Sequence, residues 1–447
     1  AQFNRGEQLF EAGQAAEAAQ VFQAILQQLG DTPTDKRAVT LGLLGRCFLV
    51  GGRPDLAAQS AREALTVLGN LEQSDGVKRS RGMRLTDLAD ALAEQGRFAE
   101  ARQAYQDGLK VAEELTDLRQ RGVVLGQLGT LAIREGKLTE ASDRYHASLA
   151  LFQQLREPAS EAVVRHQLGV VFQEARQWGE AERHYRESAR IKEENGIISG
   201  PNGAATTWNQ LANVALLAGN PDAAEMWYRK AIQGFRSSDP FSPAGGEGRD
   251  EGARFGGRIT LSLALSNLAN LLRTQPGRLA EARRLAEEAL AISKTLDPGA
   301  ASIWKTYDIL ADIAEQEAQA APDDRRKAEL QAQAREHRRL AREAKRNFAG
   351  TRHELLRHAP VILAACMAAQ DPEQRPVLGE VLRRYADASW KEMVAAIHRI
   401  VAGERDEESL QEGQFGDGPL ILDAILAGLR DPQTLADLLP SEPSKAE

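Results

Sequence analysis

A short segment around residue 355 comes nearest to a catalytic motif. His353-Glu354-Leu355-Leu356-Arg357-His358 places a carboxylate between two imidazoles, and these are the residue types of a helical zinc protease site. Such a site needs its histidines four residues apart, so that both side chains point the same way. Here they are five apart and would splay by about 140° around the helix. The spacing argues against a metal site, and we expect none.

The other histidines carry no clearer chemistry. His146, His166, His184, His337 and His398 form no spacing typical of a ligand set, and His146 and His184 are expected at the surface. The sequence contains no phosphate-binding Gly-Lys-Ser/Thr loop, no Gly-x-Ser-x-Gly, no Cys-x-x-Cys and no dinucleotide fingerprint. We therefore expect no catalytic residues and no cofactor, in a protein that is not an enzyme.

Composition favours helix throughout. The 447 residues are rich in Ala, Leu, Glu, Gln and Arg, only 5% are aromatic, and no run of alternating β-branched residues occurs. The net charge of −8 argues against nucleic acid or an anionic membrane as a partner. The sequence therefore predicts an all-α protein.

The cysteines and the absence of a membrane signal bear on the compartment. Cys47 and Cys366 are far apart in apolar helical surroundings, which favours two unpaired thiols in a reducing compartment. No charged-then-apolar leader opens the chain, and no run of about 18 apolar residues occurs. We expect a cytoplasmic protein. Because the chain starts at Ala1 inside a periodic helix, we also expect it to be part of a longer polypeptide.

A two-helix unit recurs along the first 300 residues. A break residue ends the first helix of each unit. The break residues are Gly13, Gly52, Gly96, Gly136, Arg176, Gly219 and Gly277. Five positions later stand Ala18, Ala57, Ala101, Ala141, Ala181, Ala224 and Ala282. Nine positions later stand Phe22, Ala61, Tyr105, Tyr145, Tyr185, Tyr228 and Ala286.

The first helix of the unit has its own signature. A Leu followed by Gly or Ala lies eight residues before the break residue, or nine in the last case. These Leu residues are Leu44, Leu88, Leu128, Leu168, Leu211 and Leu268. Small residues at fixed places let helices approach closely, and a large residue fills the space between hairpins. One hairpin cannot bury both of its faces, so the pattern predicts a stack of hairpins.

This pattern resembles the tetratricopeptide repeat family, as in Leu128-Gly129, Ala141 and Tyr145. The units are longer than the family's usual length of about 34 residues, which resembles the kinesin light chain type. The resemblance implies an α-solenoid, a right-handed superhelix of hairpins whose first helices line a concave groove.

The predicted domains follow from where the pattern holds. Residues 1–350 are expected to form a solenoid of about eight units, the last being a degenerate pair at 304–319 and 325–348. An inserted loop is expected at 236–258, where Gly, Pro, Ser and charged residues cluster, and a tolerated surface insertion is favoured over a flap. Residues 351–440 are expected to form a small helical domain that caps the stack, and 441–447 a disordered tail.

The groove-facing positions are expected to lie near two residues before, and two or five after, the repeated Leu. The resulting candidate binding residues are Arg46, Asp90, Arg134, His166, Asn209, Asn213, Asn270, Arg273, Asp308 and Asp312. Asn suits this role because its amide both donates to and accepts from a peptide backbone.

Three interpretations remain open. The favoured one is a scaffold that binds a partner peptide or protein in the groove, with no role for nucleic acid or membrane and with no prediction of oligomeric state. The second is a ligand-sensing repeat arm of a larger bacterial signal-transduction ATPase or defence protein. The third is an enzyme with its site in 351–440, and only the misspaced His-Glu pair supports it.

Overall fold

The computed structural model describes residues 2–11, 14–198, 203–237, 251–296, 302–347, 349–385, 390–411 and 418–438. Within these ranges every regular element is an α-helix or a short 3-10 helix, so the all-α prediction is confirmed. The chain divides into two compact units, residues 1–271 and 272–447, and each is described by itself.

The first unit is a series of helical hairpins. Its helices are α1 (Gln2–Glu11), α2 (Ala15–Leu29), α3 (Asp35–Val50), α4 (Pro54–Gly69), α5 (Asp75–Glu94), α6 (Phe98–Glu114), α7 (Leu118–Arg134), α8 (Leu138–Leu155), α9 (Pro158–Glu174), α10 (Trp178–Glu194), α11 (Ala204–Leu217), α12 (Pro221–Arg236) and α13 (Glu251–Leu272).

Local sequence sets where these helices start. Thr34 accepts a hydrogen bond from the Arg37 backbone N–H at 3.1 Å, and Asp117 accepts one from the Gln120 N–H at 2.9 Å. These side chains satisfy donors that the first turn leaves unpaired. Helices α4, α9 and α12 begin with proline, whose missing N–H is not needed there.

One break residue is not a glycine. Arg176 has a φ of 57°, in the left-handed region, where Gly136 and Gly219 have φ values of 73° and 79°. A residue with a Cβ adopts this conformation at a cost of about 1–2 kcal/mol, which glycine avoids. The backbone thus confirms that Arg176 takes the place of a glycine in its unit.

The small residues of the pattern allow the closest contacts in the core. Every Ala five positions after a break residue is at most 3% exposed. A Cβ on Gly129 would lie 3.0 Å from the Tyr145 ring, and one on Gly169 would lie 2.6 Å from the Tyr185 ring. The tyrosine of the second helix therefore packs directly on the small residue of the first, as the spacing predicts.

Successive hairpins pack side by side. Each second helix from α4 to α10 contacts the first helix of its own hairpin and the first helix of the next, and α3, α5, α7 and α9 also contact one another in succession. The first helices therefore form a continuous surface. We call the surface made by α3, α5, α7, α9 and α11 the first-helix face.

The second unit contains two groups of helices. Its helices are α14 (Leu279–Ser293), α15 (Ile303–Gln319), α16 (Asp324–Asn347), α17 (Ala349–Gln370), α18 (Arg375–Tyr385), α19 (Lys391–Val401), α20 (Glu407–Gln411) and α21 (Gly418–Arg430). Helices α15 and α16 pair as a hairpin, where the degenerate eighth unit is predicted. Helices α17, α19 and α21 share an apolar core that includes Ile362, Cys366, Ile397 and Ile425.

The two compact units divide between residues 271 and 272, so the α15–α16 hairpin belongs to the second unit. A solenoid over 1–350 and a capping domain over 351–440 remain predictions. The predicted loop at 236–258 is helical from Glu251 onward. Its residues 238–250 and the predicted tail at 441–447 lie outside the described residues.

Two further sequence expectations concern membranes and cysteines. No described helix is both long enough and apolar enough to cross a bilayer. Cys47 and Cys366 are free and buried, and burial raises the pKa of each thiol to about 11. Both sulfurs are therefore held as unreactive thiols.

Candidate functional site

Most of the candidate residues in the first unit link neighbouring first helices. Arg46 Nε donates to Asp87 at 3.0 Å, from α3 to α5, and Arg134 pairs with Glu94, from α7 to α5. Gln127 on α7 donates to Asp90 at 3.2 Å. These contacts form a row of polar bonds across the first-helix face.

Asp90 and Asn213 are also tied to their own hairpins. The Tyr105 hydroxyl donates to Asp90, and the Tyr228 hydroxyl donates to the Asn213 side-chain carbonyl at 2.6 Å. Burial raises the pKa of Asp90 to about 6. Both side chains therefore already support the fold, whatever else they bind.

The same position in the α7–α8 hairpin follows this rule. There Thr130 takes the place of Asp90 and Asn213, and its hydroxyl lies 2.8 Å from the Tyr145 hydroxyl. A polar residue two positions after the repeated Leu thus pairs with the tyrosine of the second helix in three hairpins. Asp90 and Asn213 are candidates from the sequence and Thr130 is not, and the spacing within the repeat does not report the pairing.

His166 belongs to a buried polar cluster. Lys192 donates to Thr207 at 2.8 Å, and the Thr207 hydroxyl lies 3.1 Å from His166 Nδ1. Burial and the nearby ammonium of Lys192 lower the pKa of His166 to about 3, so its imidazole is neutral. Lys192 is 2% exposed, and burial lowers its pKa to about 8. Lys192 and Thr207 are contacts that sequence analysis missed.

Asn209 differs from the other candidates. Its side chain is 8% exposed, and its carbonyl oxygen has no hydrogen-bond partner among the described residues. A buried carbonyl without a partner costs about 1–3 kcal/mol. Asn209 on α11 is therefore a buried polar group whose acceptor the described residues leave unsatisfied.

The remaining candidates lie near or beyond the unit boundary. Asn270 is exposed near the end of α13, in the first unit. Arg273 pairs with Asp312 at 2.9 Å, and Arg338 pairs with Asp308 at 3.2 Å and with Asp312. Arg273, Asp308 and Asp312 thus form an ion-pair group within the second unit, joined by Arg338, which sequence analysis missed.

A cavity opens between α7, α8 and α9. Its volume is about 280 Å³, and its lining includes Gly126 and Thr130 of α7, Phe152 of α8, and Val164 and Gln167 of α9. The sequence signal for it is the set of glycines in α7, of which Gly122 and Gly126 both line the space. Neither glycine contributes a side chain to this space.

The histidine expectations have mixed outcomes. His146 is exposed, as expected, but His184 is only 2% exposed, so its surface assignment is wrong. His184 stacks on the Phe172 ring with centroids 5.3 Å apart, because its side of α10 packs against the preceding first helix. The side chains of His353 and Glu354 lie outside the described residues, and the described residues contain no group of three or more His, Cys, Asp or Glu arranged to hold a metal ion.

Family models decide what these hairpins are. Models described as tetratricopeptide repeat match residues 82–116, 120–194, 205–233 and 262–296. The chain is a tetratricopeptide repeat protein. The matched segments include helices α7 to α10, which carry the cavity and the cluster around His166.

Three solved structures are similar to parts of the chain, and the first of them shares its fold. A signal transduction ATPase with numerous domains and a tetratricopeptide repeat sensor, from Pyrococcus horikoshii, is 15% identical with a TM-score of 0.55, over 72% of this chain and 44% of that one. A putative kinesin light chain with nearly identical repeats, from Podosopora anserina, is 16% identical with a TM-score of 0.39, over 45% and 96%. BtubC from P. vanneervenii is 18% identical with a TM-score of 0.42, over 50% and 89%. No curated protein sequence matches the chain.

Proposed function

We propose that this tetratricopeptide repeat protein is a non-enzymatic scaffold that binds a partner peptide on its first-helix face. The observation that carries the proposal is Asn209, a buried amide on that face whose carbonyl oxygen lacks a partner among the described residues. The oxygen is shielded in the unbound chain, so a backbone N–H of a bound peptide would satisfy it after the side-chain amide turns over. Repeats of this fold typically act in protein–protein interaction and without catalysis, which supports the same conclusion.

A second group on the same face supports the proposal. Gln167 of α9 lines the mouth of the cavity, is half-buried, and has no hydrogen-bond partner among the described residues. An amide offers both a donor and an acceptor, as an extended peptide backbone requires. The Gln167 and Asn209 amides lie on successive first helices, α9 and α11.

Peptide selection on the full chain tests this function. Peptides selected from a random displayed library are labelled, and their affinity is measured by fluorescence anisotropy for the native chain and for the double variant Gln167→Ala with Asn209→Ala. Two lost hydrogen bonds of about 1 kcal/mol each should weaken binding by at least about tenfold. Arg144→Ala, on the second helix α8, is the matched control and should bind as the native chain does. An equal loss of affinity in the control, or no loss of affinity in the double variant, would contradict the assignment of the first-helix face as the binding surface.

A second candidate function rests on the similarity to the Pyrococcus horikoshii ATPase, whose repeats are described as a sensor. In that case the chain would be the ligand-sensing arm of a larger signal-transduction protein. The test is the full-length coding sequence: a nucleotide-binding domain with a phosphate-binding Gly-Lys-Ser/Thr loop in the same polypeptide would favour this function. A complete coding sequence without such a domain would exclude it.

A further inference from the structure

The hairpins differ in what fills one equivalent space beside the first helix. The space lies at the residue ten positions before the break residue, which is Gly42, Thr86, Gly126 or His166 in successive units. A Cβ on Gly42 would lie 1.4 Å from Arg84 Nη1, so the Arg84 side chain occupies the space beside Gly42. At Thr86, Gln120 of the next first helix donates to the threonine hydroxyl at 3.2 Å.

His166 fills its own space in the α9–α10 hairpin. The imidazole occupies the position, and Thr207 and Lys192 complete its hydrogen-bonded surroundings. The space is therefore closed in three hairpins, each time by a polar side chain of the protein itself.

Gly126 is the exception. The nearest atom to a Cβ built there is Ser148 Oγ at 3.6 Å, an ordinary contact distance. The cavity of about 280 Å³ lies at this place, and Gly126 and Gln127 at its edge are half-buried, so it communicates with the surface. The protein fills the spaces at Gly42, Thr86 and His166 with its own polar side chains but leaves this one open.

The chemistry of the lining differs from that of the filled spaces. Phe152 of α8 stands where α10 has Lys192, and Val164 of α9 stands where α11 has Thr207. Among the lining residues only Tyr145 is ionisable, and burial raises its pKa to about 12, so the cavity is uncharged. An ion in the cavity would lose its hydration and find no opposite charge in the lining. The lining therefore favours a neutral occupant.

The hydroxyls of the lining are already paired. Ser148 donates to the Gly122 carbonyl at 2.7 Å, and Ser160 donates to Glu157 at 2.9 Å. Thr130 pairs with Tyr145, as described above. The interior therefore offers an apolar wall, and the half-buried Gln167 amide lies at the opening.

The size limits what can enter. A cavity of about 150 Å³ holds a benzene ring, whereas pockets for whole small ligands begin at about 300 Å³. A space of about 280 Å³ thus fits one large apolar group better than a complete ligand. We propose that the cavity between α7, α8 and α9 receives one large apolar side chain, aromatic or aliphatic, of a peptide whose backbone binds Gln167. This inference rests on the proposed function and specifies the peptide.

Capped amino acids test the proposal without a known partner. The full chain with isotope-labelled valine methyl groups is titrated with N-acetyl-phenylalaninamide, N-acetyl-leucinamide and, for comparison, the capped amides of glutamate and lysine. We expect saturable shifts of the Val163 and Val164 methyl resonances with Phe or Leu and none with the charged probes. Binding of a charged probe at least as tight as Phe and Leu, or no saturable shift with either apolar probe, would overturn the proposal.

Two glycine variants localise the effect. Gly126→Leu places an apolar side chain in the cavity and should weaken binding by at least about tenfold. Gly179→Leu makes the same change on α10, where a Cβ would meet nothing within 4 Å, and should bind as the native chain does. Unchanged binding in folded Gly126→Leu would overturn the proposal, and thermal melting checks that both variants fold. If Gly126→Leu does not fold, Val163→Trp fills the cavity from α9 and carries the same expectation.

The outcomes separate this proposal from the proposed function. Loss of selected peptides on changing Asn209, together with no probe binding at Val163 and Val164, would uphold the function and overturn the cavity. Probe binding in a chain that captures no peptide would support the apolar cavity and contradict the function. Binding of toluene without either capped amide would make the occupant a free apolar molecule and overturn the peptide assignment.

Discussion

Tyr145 illustrates how single residues hold the hairpins. Its ring is 1% exposed and packs against Gly129, and its hydroxyl pairs with Thr130 at 2.8 Å. The same type of residue bonds the first helix in the hairpins of Tyr105 and Tyr228. At this scale, a large side chain, a small residue facing it and one hydrogen bond form the repeated contact.

Tyr145→Ala should therefore destabilise the first unit by about 3–5 kcal/mol, the cost of removing a buried aromatic side chain. Tyr145→Phe keeps the ring and should cost only about 1 kcal/mol for the lost hydrogen bond. Denaturant unfolding of the two variants measures both values. Equal effects of the two changes would contradict the packing role of the ring.

Two glycines on α7 should respond to alanine in opposite directions. Gly126→Ala removes an unfavourable helix residue without a clash and should stabilise by about 0.5–1 kcal/mol. Gly129→Ala would place its Cβ 3.0 Å from the Tyr145 ring and should destabilise by about 1–3 kcal/mol. The midpoints of denaturant unfolding of the two variants, compared with that of the native chain, measure both effects. Destabilisation by Gly126→Ala would mean that the space beside Gly126 is filled.

Lys192 should make stability depend on pH. Burial lowers its folded-state pKa from 10.5 to about 8, so between these values the unfolded chain binds more protons and the free energy of unfolding rises with pH. The difference corresponds to about 3 kcal/mol. Lys192→Met should gain about that much stability at neutral pH and lose the rise between pH 8 and 10.5. A variant whose unfolding still shows that rise would show that another group causes it.

At the scale of helices, the repeated Leu, Ala and Tyr positions predict the hairpins because each has one partner at a fixed spacing. Leu128 and Ala141 are buried as predicted. The candidate groove residues are harder to predict, because the partner of Asp90 is a tyrosine fifteen residues away and that of His166 lies on another hairpin. The cavity at Gly126 and the burial of His184 depend likewise on side chains from neighbouring helices, which spacing within one unit does not report.

Removal of one complete hairpin tests whether the hairpins are equivalent structural units of one stack. Deletion of residues 118–157 joins Asp117 to Pro158, so that α6 would meet α9 in place of α7. Because each repeat contacts mainly its neighbours, the shortened chain should unfold cooperatively and keep the helix content per residue of the native chain. Deletion of 118–137 alone removes one helix of the pair and should lower both cooperativity and helix content, as measured by circular dichroism. Equal behaviour of the two deletions would contradict a stack of hairpins.

At the scale of the molecule, the first unit presents the continuous first-helix face. The first-helix face combines a row of polar bonds, the unpartnered carbonyl of Asn209 and the open cavity at Gly126. The second unit has its own apolar core and an ion-pair group around Asp312. The features of the first unit are the ones on which the proposed binding of a peptide rests.

Hydrogen exchange of the full chain, with and without a saturating peptide selected from a displayed library, tests the central claim most directly. The account predicts slower exchange in the first helices α7, α9 and α11, with the second helices α8 and α10 unchanged on their outer sides. Slower exchange confined to the second helices, or confined to the second unit, would contradict it.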